Sequence, residues 1–238
     1  MNNYFSQHIW YQKAFENRAE AYNAIYPQYK KDLEKYLGKF SDAKILEIWC
    51  GVGKFTYFCE KIWVKDYTGI DIDDYFFEYN KKDFPNYKFI KIWFQEYLKE
   101  HKNEFDIIFV SHVFEHLDEK ERIEMITSIY SWLKEWWIRI NYMPNADNFL
   151  WAWSLRRGDI THKTIYSDIS FGQVVNSTNL PFGIENFNTY VWVESRFRRI
   201  IHIIFRYFTK IYFVGMGKRF PNLYTWEFIS VLTKKWKN

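Results

Sequence analysis

KILEIWCGVGKF, residues 44–55, runs from a short apolar stretch into a loop with glycines at 51 and 53. A nearly continuous apolar run closed by glycine is the pattern of a strand buried on both faces and followed by a tight turn. A helix expected at 53–62 follows at once, as in a nucleotide-type cofactor site. A dinucleotide fingerprint would need a third glycine at 56, where Thr56 stands. An NAD-type oxidoreductase is therefore disfavoured. The alternative template is acidic-x-Gly-x-Gly-x-Gly at 47, 49, 51 and 53; Glu47, Gly51 and Gly53 match it and Trp49 does not.

Outward from the loop, strands alternate with helices. Strands are expected at 43–49, 67–72 (YTGIDI), 87–92 (YKFIKI), 105–111 (FDIIFVS) and 138–143 (IRINYM). A helical stripe of Ile123, Ile126, Tyr130 and Leu133 lies between the last two. This alternation predicts an α/β fold with a doubly wound, Rossmann-like parallel sheet and helices on both faces. Ahead of it, residues 10–39 read as a helix interrupted near Pro27 and closed by Gly38. Beyond it, 145–165 is loop-like, 167–177 helical, and IENFNTYVWV (184–193) and YTWEFISVLT (224–233) read as late strands. Between these two, 195–213 is a basic, aromatic helix. The expected organisation is one domain over 1–238, with a helical cap at 1–40, a cofactor-binding core at 41–145 and an acceptor-side region at 146–238.

Charged residues make up 26% and hydrophobic residues 48% of 238, which fits a globular chain and excludes a disordered one. A net charge of +4 suits an anionic substrate without arguing for nucleic acid. Cys50 and Cys59 have no CxxC spacing, so free thiols in a reducing cytoplasm are expected and no metal. No signal-peptide pattern is expected in MNNYFSQHIWYQK, and no apolar run reaches membrane-spanning length.

Asp71, ending the second strand, can accept hydrogen bonds from both hydroxyls of a ribose. That suits a cofactor with a ribose and an amino-acid tail but no pyrophosphate. LEIWCGVGKF, YTGIDID, FDIIFVSHVFEHL and LKEWWIRINYMPN, in that order and at those separations, resemble the class I S-adenosylmethionine-dependent methyltransferases. RRGDITHKTIY is similar to a segment of the bacterial branch that methylates small molecules, often sugars or quinone-like rings. The resemblance covers about 27–180. It implies a seven-stranded sheet ending in an antiparallel hairpin, with the 195–213 helix inserted in that hairpin. It implies cofactor contacts at Glu47, Trp49, Gly51, Gly53, Asp71 and Ser111. Where the family has Gly-Asp after the third strand, this chain has Trp93-Phe94; Phe94 is expected to pack on the adenine and Gln95 to hydrogen-bond it. Tyr142, Asn145, Arg157 and Asp159 are expected to line the acceptor pocket, beyond the end of the fifth strand. If the acceptor is a hydroxyl, a base must take its proton, and His162, then His116, are the candidates. The alternative is a non-catalytic relative that has lost the cofactor and serves as an interaction module. The 195–213 helix is expected to pack on the sheet or on a partner in preference to a membrane surface.

One count is anomalous: 12 Trp against 9 Gly, where average usage would give about 17 glycines. Trp49 stands in the tight turn and Trp63 at the place of a helix C′ residue. Trp93 follows the third strand, and Trp136-Trp137 stand where the family has Gly-Gly. These five are expected to be glycine positions. A single source would be UGA codons, which some bacteria read as glycine and other codes read as tryptophan.

Overall fold

The structure is a computed structural model that describes residues 16–97, 101–148, 152, 159, 161–190, 196–216 and 223–235. Seven strands form one sheet: β1 (Lys44–Ile48), β2 (Asp66–Asp71), β3 (Lys88–Lys91), β4 (Phe105–Ser111), β5 (Leu133–Pro144), β6 (Phe182–Asn188) and β7 (Glu227–Lys234). Their order is β3-β2-β1-β4-β5-β7-β6. The first five are parallel, and β7 runs antiparallel between β5 and β6. The expected Rossmann-like sheet with an antiparallel end is thus present. The chain leaves β1 toward β2 and returns to β4 on the other side, which opens a crevice at the carboxyl ends of β1 and β4.

Both faces of the sheet are covered. Leu46, Ile48, Val110 and Ile108 face a core completed by Met125, Ile126 and Trp132 of α5 (Glu119–Trp132). Ile45, Ile107 and Phe109 face the other core, with Phe55 and Phe58 of α2 (Lys54–Lys61) and Tyr22 and Tyr29 of α1 (Arg18–Asp32). Period-two alternation of apolar residues on strands buried on both sides is why these strands read as unbroken apolar runs. α5 opens with a capping box in which Asp118 and Glu121 satisfy each other's backbone N–H groups.

Four elements differ from expectation, the first being the strand expected at 184–193, which is β6 at Phe182–Asn188. α1 passes through Pro27 without interruption; proline removes one donor, and Tyr29 packed edge-on against Phe55 and Phe58 holds the turn. Gly38 lies in a 3₁₀ turn, Glu34–Lys39, that follows α1. β5 begins five residues early because Leu133 pairs with Phe105, and the ladder resumes only at Ile138 with Ile107. The extra residues, Lys134–Trp137, bulge out between these pairs.

The remaining helices are α3 (Asp74–Asp83), α4 (Phe94–Tyr97), α6 (Asp168–Ser177) and α7 (Arg196–Gly215). Of the two coverings expected for the 195–213 helix, sheet or partner, the sheet does not cover the described apolar side chains of α7. Its apolar side chains at 200, 201, 203, 204, 205, 207, 208, 211 and 212 are all exposed. Among the described residues no helix is long and apolar enough to cross a membrane. Cys50 and Cys59 are free and buried.

Candidate cofactor and acceptor site

The loop after β1 is tied to the end of β2. The backbone N–H groups of Trp49 and Cys50 both donate to Ile70 O, at 2.8 and 3.2 Å. Gly51 N–H donates to Asp71 Oδ2 at 2.8 Å, while Ile72 and Asp73 N–H donate to Oδ1 at 2.7 and 3.0 Å. Asn80 of α3 closes the loop from above, donating to Gly51 O at 2.8 Å. Gly53 has φ +76°, and a Cβ there would sit 2.6 Å from Asn80 Oδ1 and 2.9 Å from the Phe84 ring, so only glycine fits.

These groups border a cavity of about 220 Å³ lined by Tyr29, Glu47, Trp49, Cys50, Gly51, Lys54, Asp71, Ile72, Asp73, Phe76, Ser111, His112 and His116. Burial raises the Asp71 carboxyl to about 6, against the pull of its three backbone donors. Burial raises Glu47 further, to about 8. Glu47 accepts from the Tyr67 hydroxyl and, at 3.4 Å, from Thr56.

The opposite wall comes from the turn after β4. His112, at φ +53°, lies between Glu115 Oε1 at 3.2 Å and Glu227 Oε2 at 2.9 Å, with its ring stacked on Trp226. Burial disfavours its charge, but the two carboxylates prevail and raise it to about 10. His116 is held differently. Thr161 Oγ1 is 2.8 Å from His116 Nδ1 and donates to Asp159 Oδ1 at 2.6 Å. A hydroxyl has one proton, so Thr161 accepts from His116 Nδ1–H, and Nε2 is the basic nitrogen of the ring. Burial lowers the His116 pKa, so the ring is neutral near pH 7. Lys163 and Thr164 N–H both donate to Glu115 O, which brings the His162 ring to 4.8 Å from that of His116. Side-chain ligand atoms of Glu115, His116 and His162 lie within 4.8 Å of one another.

Of the expected site residues, Glu47, Trp49, Gly51, Asp71, Ser111 and His116 converge on the cavity. His162 and Asp159 adjoin it through His116. Gly53 shapes the loop from behind. Phe94 is fully buried in the core and does not reach the cavity, and Gln95 is not part of its lining. α4 turns Phe94 inward, toward the apolar side of the sheet. Tyr142 is likewise buried, its hydroxyl donating to Asp32. Asn145 is a buried brace, donating to Leu223 O and Thr225 O. Neither lines an acceptor pocket, because their side chains point into the sheet and the β7 approach. Arg157 lies outside the described residues. Sequence reasoning missed Lys54, Phe76, His112 and the distant Glu227. The HVFEH run carried a signal for His112, since it offers two histidines and a glutamate within five residues.

Three of the five suspect tryptophans have left-handed backbones: Trp49 at φ +59°, Trp63 at +61° and Trp136 at +67°. Trp93 and Trp137 do not. The Trp49 ring stands on the cavity wall, edge-on to Trp93 and 6.5 Å from the His116 ring.

Residues 45–136 match a family model described as "Methyltransferase domain". The fold is similar to that of a SAM-dependent methyltransferase from Archaeoglobus fulgidus, at 22% identity and a TM-score of 0.62 over 88% of this chain and 94% of that one. It is also similar to one from Mesorhizobium loti, at 10% identity and a TM-score of 0.57 over 86% and 97%. The PH0226 protein of Pyrococcus horikoshii aligns at 17% identity with a TM-score of 0.56, over 88% and 91%. A comparison with curated proteins finds no match.

Proposed function

We propose that this chain is a class I S-adenosylmethionine-dependent methyltransferase that methylates a hydroxyl or amine of a small molecule. A sugar or a quinone-like ring is the acceptor class that RRGDITHKTIY resembles. The observation that carries the reading is the pairing across one cavity of Asp71, at the end of β2, with a neutral His116, in the turn after β4.

The cavity fits the cofactor in its donor set. Asp71 and Asp73 offer carboxylates to ribose hydroxyls, and Ile72 and Phe76 offer apolar surface to a flat base. Bound there, S-adenosylmethionine supplies a methyl group already activated on a sulfonium, so the protein's main task is to position the acceptor. His116 Nε2 takes the acceptor's proton, while Asp159 and Thr161 fix the ring orientation and keep the other nitrogen protonated. His162 lies beside that ring, 4.8 Å away. Removing such a base costs roughly 10²–10⁴ in rate. His116→Asn and His162→Ala, tested on a metabolite panel with methyl-labelled cofactor, are each expected to lose turnover while cofactor affinity changes little. Full turnover in both variants would refute the assignment.

A second reading of the proton step has its own observation. Glu115 Oε2 is buried without a hydrogen-bond partner and belongs to the cluster with His116 and His162. Two imidazoles and a carboxylate can hold a divalent cation that acidifies a bound hydroxyl. Turnover abolished by chelator and restored by a divalent metal would select this reading; indifference to chelator selects the histidine base.

A further inference from the structure

The left-handed positions among the described residues fall into two groups. Gly51, Gly53, Asn103, Asn179 and His112 belong to the residue types that this region favours. The other three are all tryptophan. A bulky residue there is an outlier, because its Cβ crowds the following carbonyl oxygen. Seven tryptophans are described, and with a few per cent of non-glycine residues at positive φ, about 0.2 of them would be expected there. Three are found.

Each of the three occupies a place with a glycine-specific reason. Trp63 N–H donates to Glu60 O at 3.1 Å and Val64 N–H to Cys59 O at 3.0 Å. Those are the two bonds of a Schellman motif closing α2, whose C′ residue is usually glycine. Trp63 is 84% exposed, so no packing recommends an indole there. Trp136 lies in the bulge before Ile138 and is 59% exposed. Trp49 sits where the loop backbone faces the cavity.

We infer that residues 49, 63 and 136 are glycines in the protein as the source organism makes it. Their codons are then UGA, read there as glycine, and tryptophan is the meaning of the same codon in another code. The inference does not extend to Trp132, which is fully buried in an α-helix and fills the core. The native cofactor loop is then EIGCGVG, without an indole on the cavity wall.

The codons and the native peptide masses test this without reference to methyl transfer, so it and the functional reading can fail separately. UGA at 49, 63 and 136, with glycine in peptides from the source organism, is the expected result. UGG at any of the three, or tryptophan in the native peptide, overturns the inference. At the protein level, Trp49→Gly is expected to tighten S-adenosylmethionine binding at least about tenfold by calorimetric titration. Weaker binding in that variant, with unchanged thermal stability, also overturns it.

A separate observation concerns α7. Ile200, Ile204, Tyr207, Phe208, Ile211 and Tyr212 recur at helical spacing and are 50% to 65% exposed. From 195 to 226 the sequence has seven Lys and Arg and no Asp or Glu. An apolar helix stripe within a purely basic segment complements an anionic lipid surface, with the helix lying in the interface. We propose that α7 docks this protein on anionic membrane. The full chain is expected to co-sediment with phosphatidylcholine vesicles containing phosphatidylserine and to be released by high salt. Ile204→Asp with Phe208→Asp should abolish binding and leave cofactor affinity unchanged. Failure of the parent chain to bind, or equal binding by the double variant, overturns the proposal. So does self-association that covers the stripe instead.

Discussion

Trp63 offers a clean test of left-handed strain, because its side chain is 84% exposed and it lies at the far end of α2 from the cofactor loop. The perturbation is a pair, Trp63→Gly and Trp63→Ala. Both remove the indole, so they differ only in the Cβ and in backbone freedom. At φ +61° the Cβ costs about 1–2 kcal/mol. Glycine loses roughly 0.5–1 kcal/mol more backbone entropy on folding. The difference leaves the glycine variant more stable by about 0.5–1 kcal/mol. For a chain of this size, each kcal/mol moves the melting temperature by roughly 2–4 °C. The control is Glu124, exposed within α5, where alanine should exceed glycine by about 1 kcal/mol. Calorimetry or urea unfolding at one pH reads both pairs. Opposite signs at 63 and 124 are expected. The alanine variant equal to or above the glycine variant at 63 would show that the residue is not held left-handed in solution.

Trp132→Gly should instead destabilise by about 3–5 kcal/mol, since it empties a fully buried core position; a loss under about 1 kcal/mol by urea unfolding would contradict the packing. Asp71→Asn replaces a charged acceptor and turns an amide toward backbone donors, so S-adenosylmethionine should bind about tenfold more weakly or worse by calorimetry. Glu47→Gln addresses pH dependence. Burial places the folded Glu47 at about 8, above its ordinary 4.5, so the folded state holds the proton more tightly. Its contribution to stability is complete below about pH 4.5 and is lost as pH rises through 8, at up to about 1.4 kcal/mol per pH unit. The glutamine variant should show a shallower decline in urea midpoint from pH 5 to 8; an unchanged slope would mean that Glu47 ionises freely.

By itself the sequence determined the sheet and the cofactor loop. Strands buried on both faces must be apolar throughout, so β1 and β4 were legible from composition, as were the glycines that end β1. It also singled out tryptophans in glycine places, because conformational demand at a tight turn is local and leaves its mark on one residue. What only the tertiary structure decided was which side chains face the cavity. Phe94, Tyr142 and Asn145 stand at plausible positions along the chain, yet packing turned all three inward, Phe94 from the start of α4, Tyr142 from one face of β5 and Asn145 from just beyond its end. His112 and Glu227 are 115 residues apart and meet only because β7 threads in beside β5. The pairing of His116 with Thr161 and Asp159 depends in the same way on two backbone bonds from Lys163 and Thr164 to Glu115. Long-range hydrogen bonds of this kind leave no periodic trace in a sequence, whereas burial and turn geometry do.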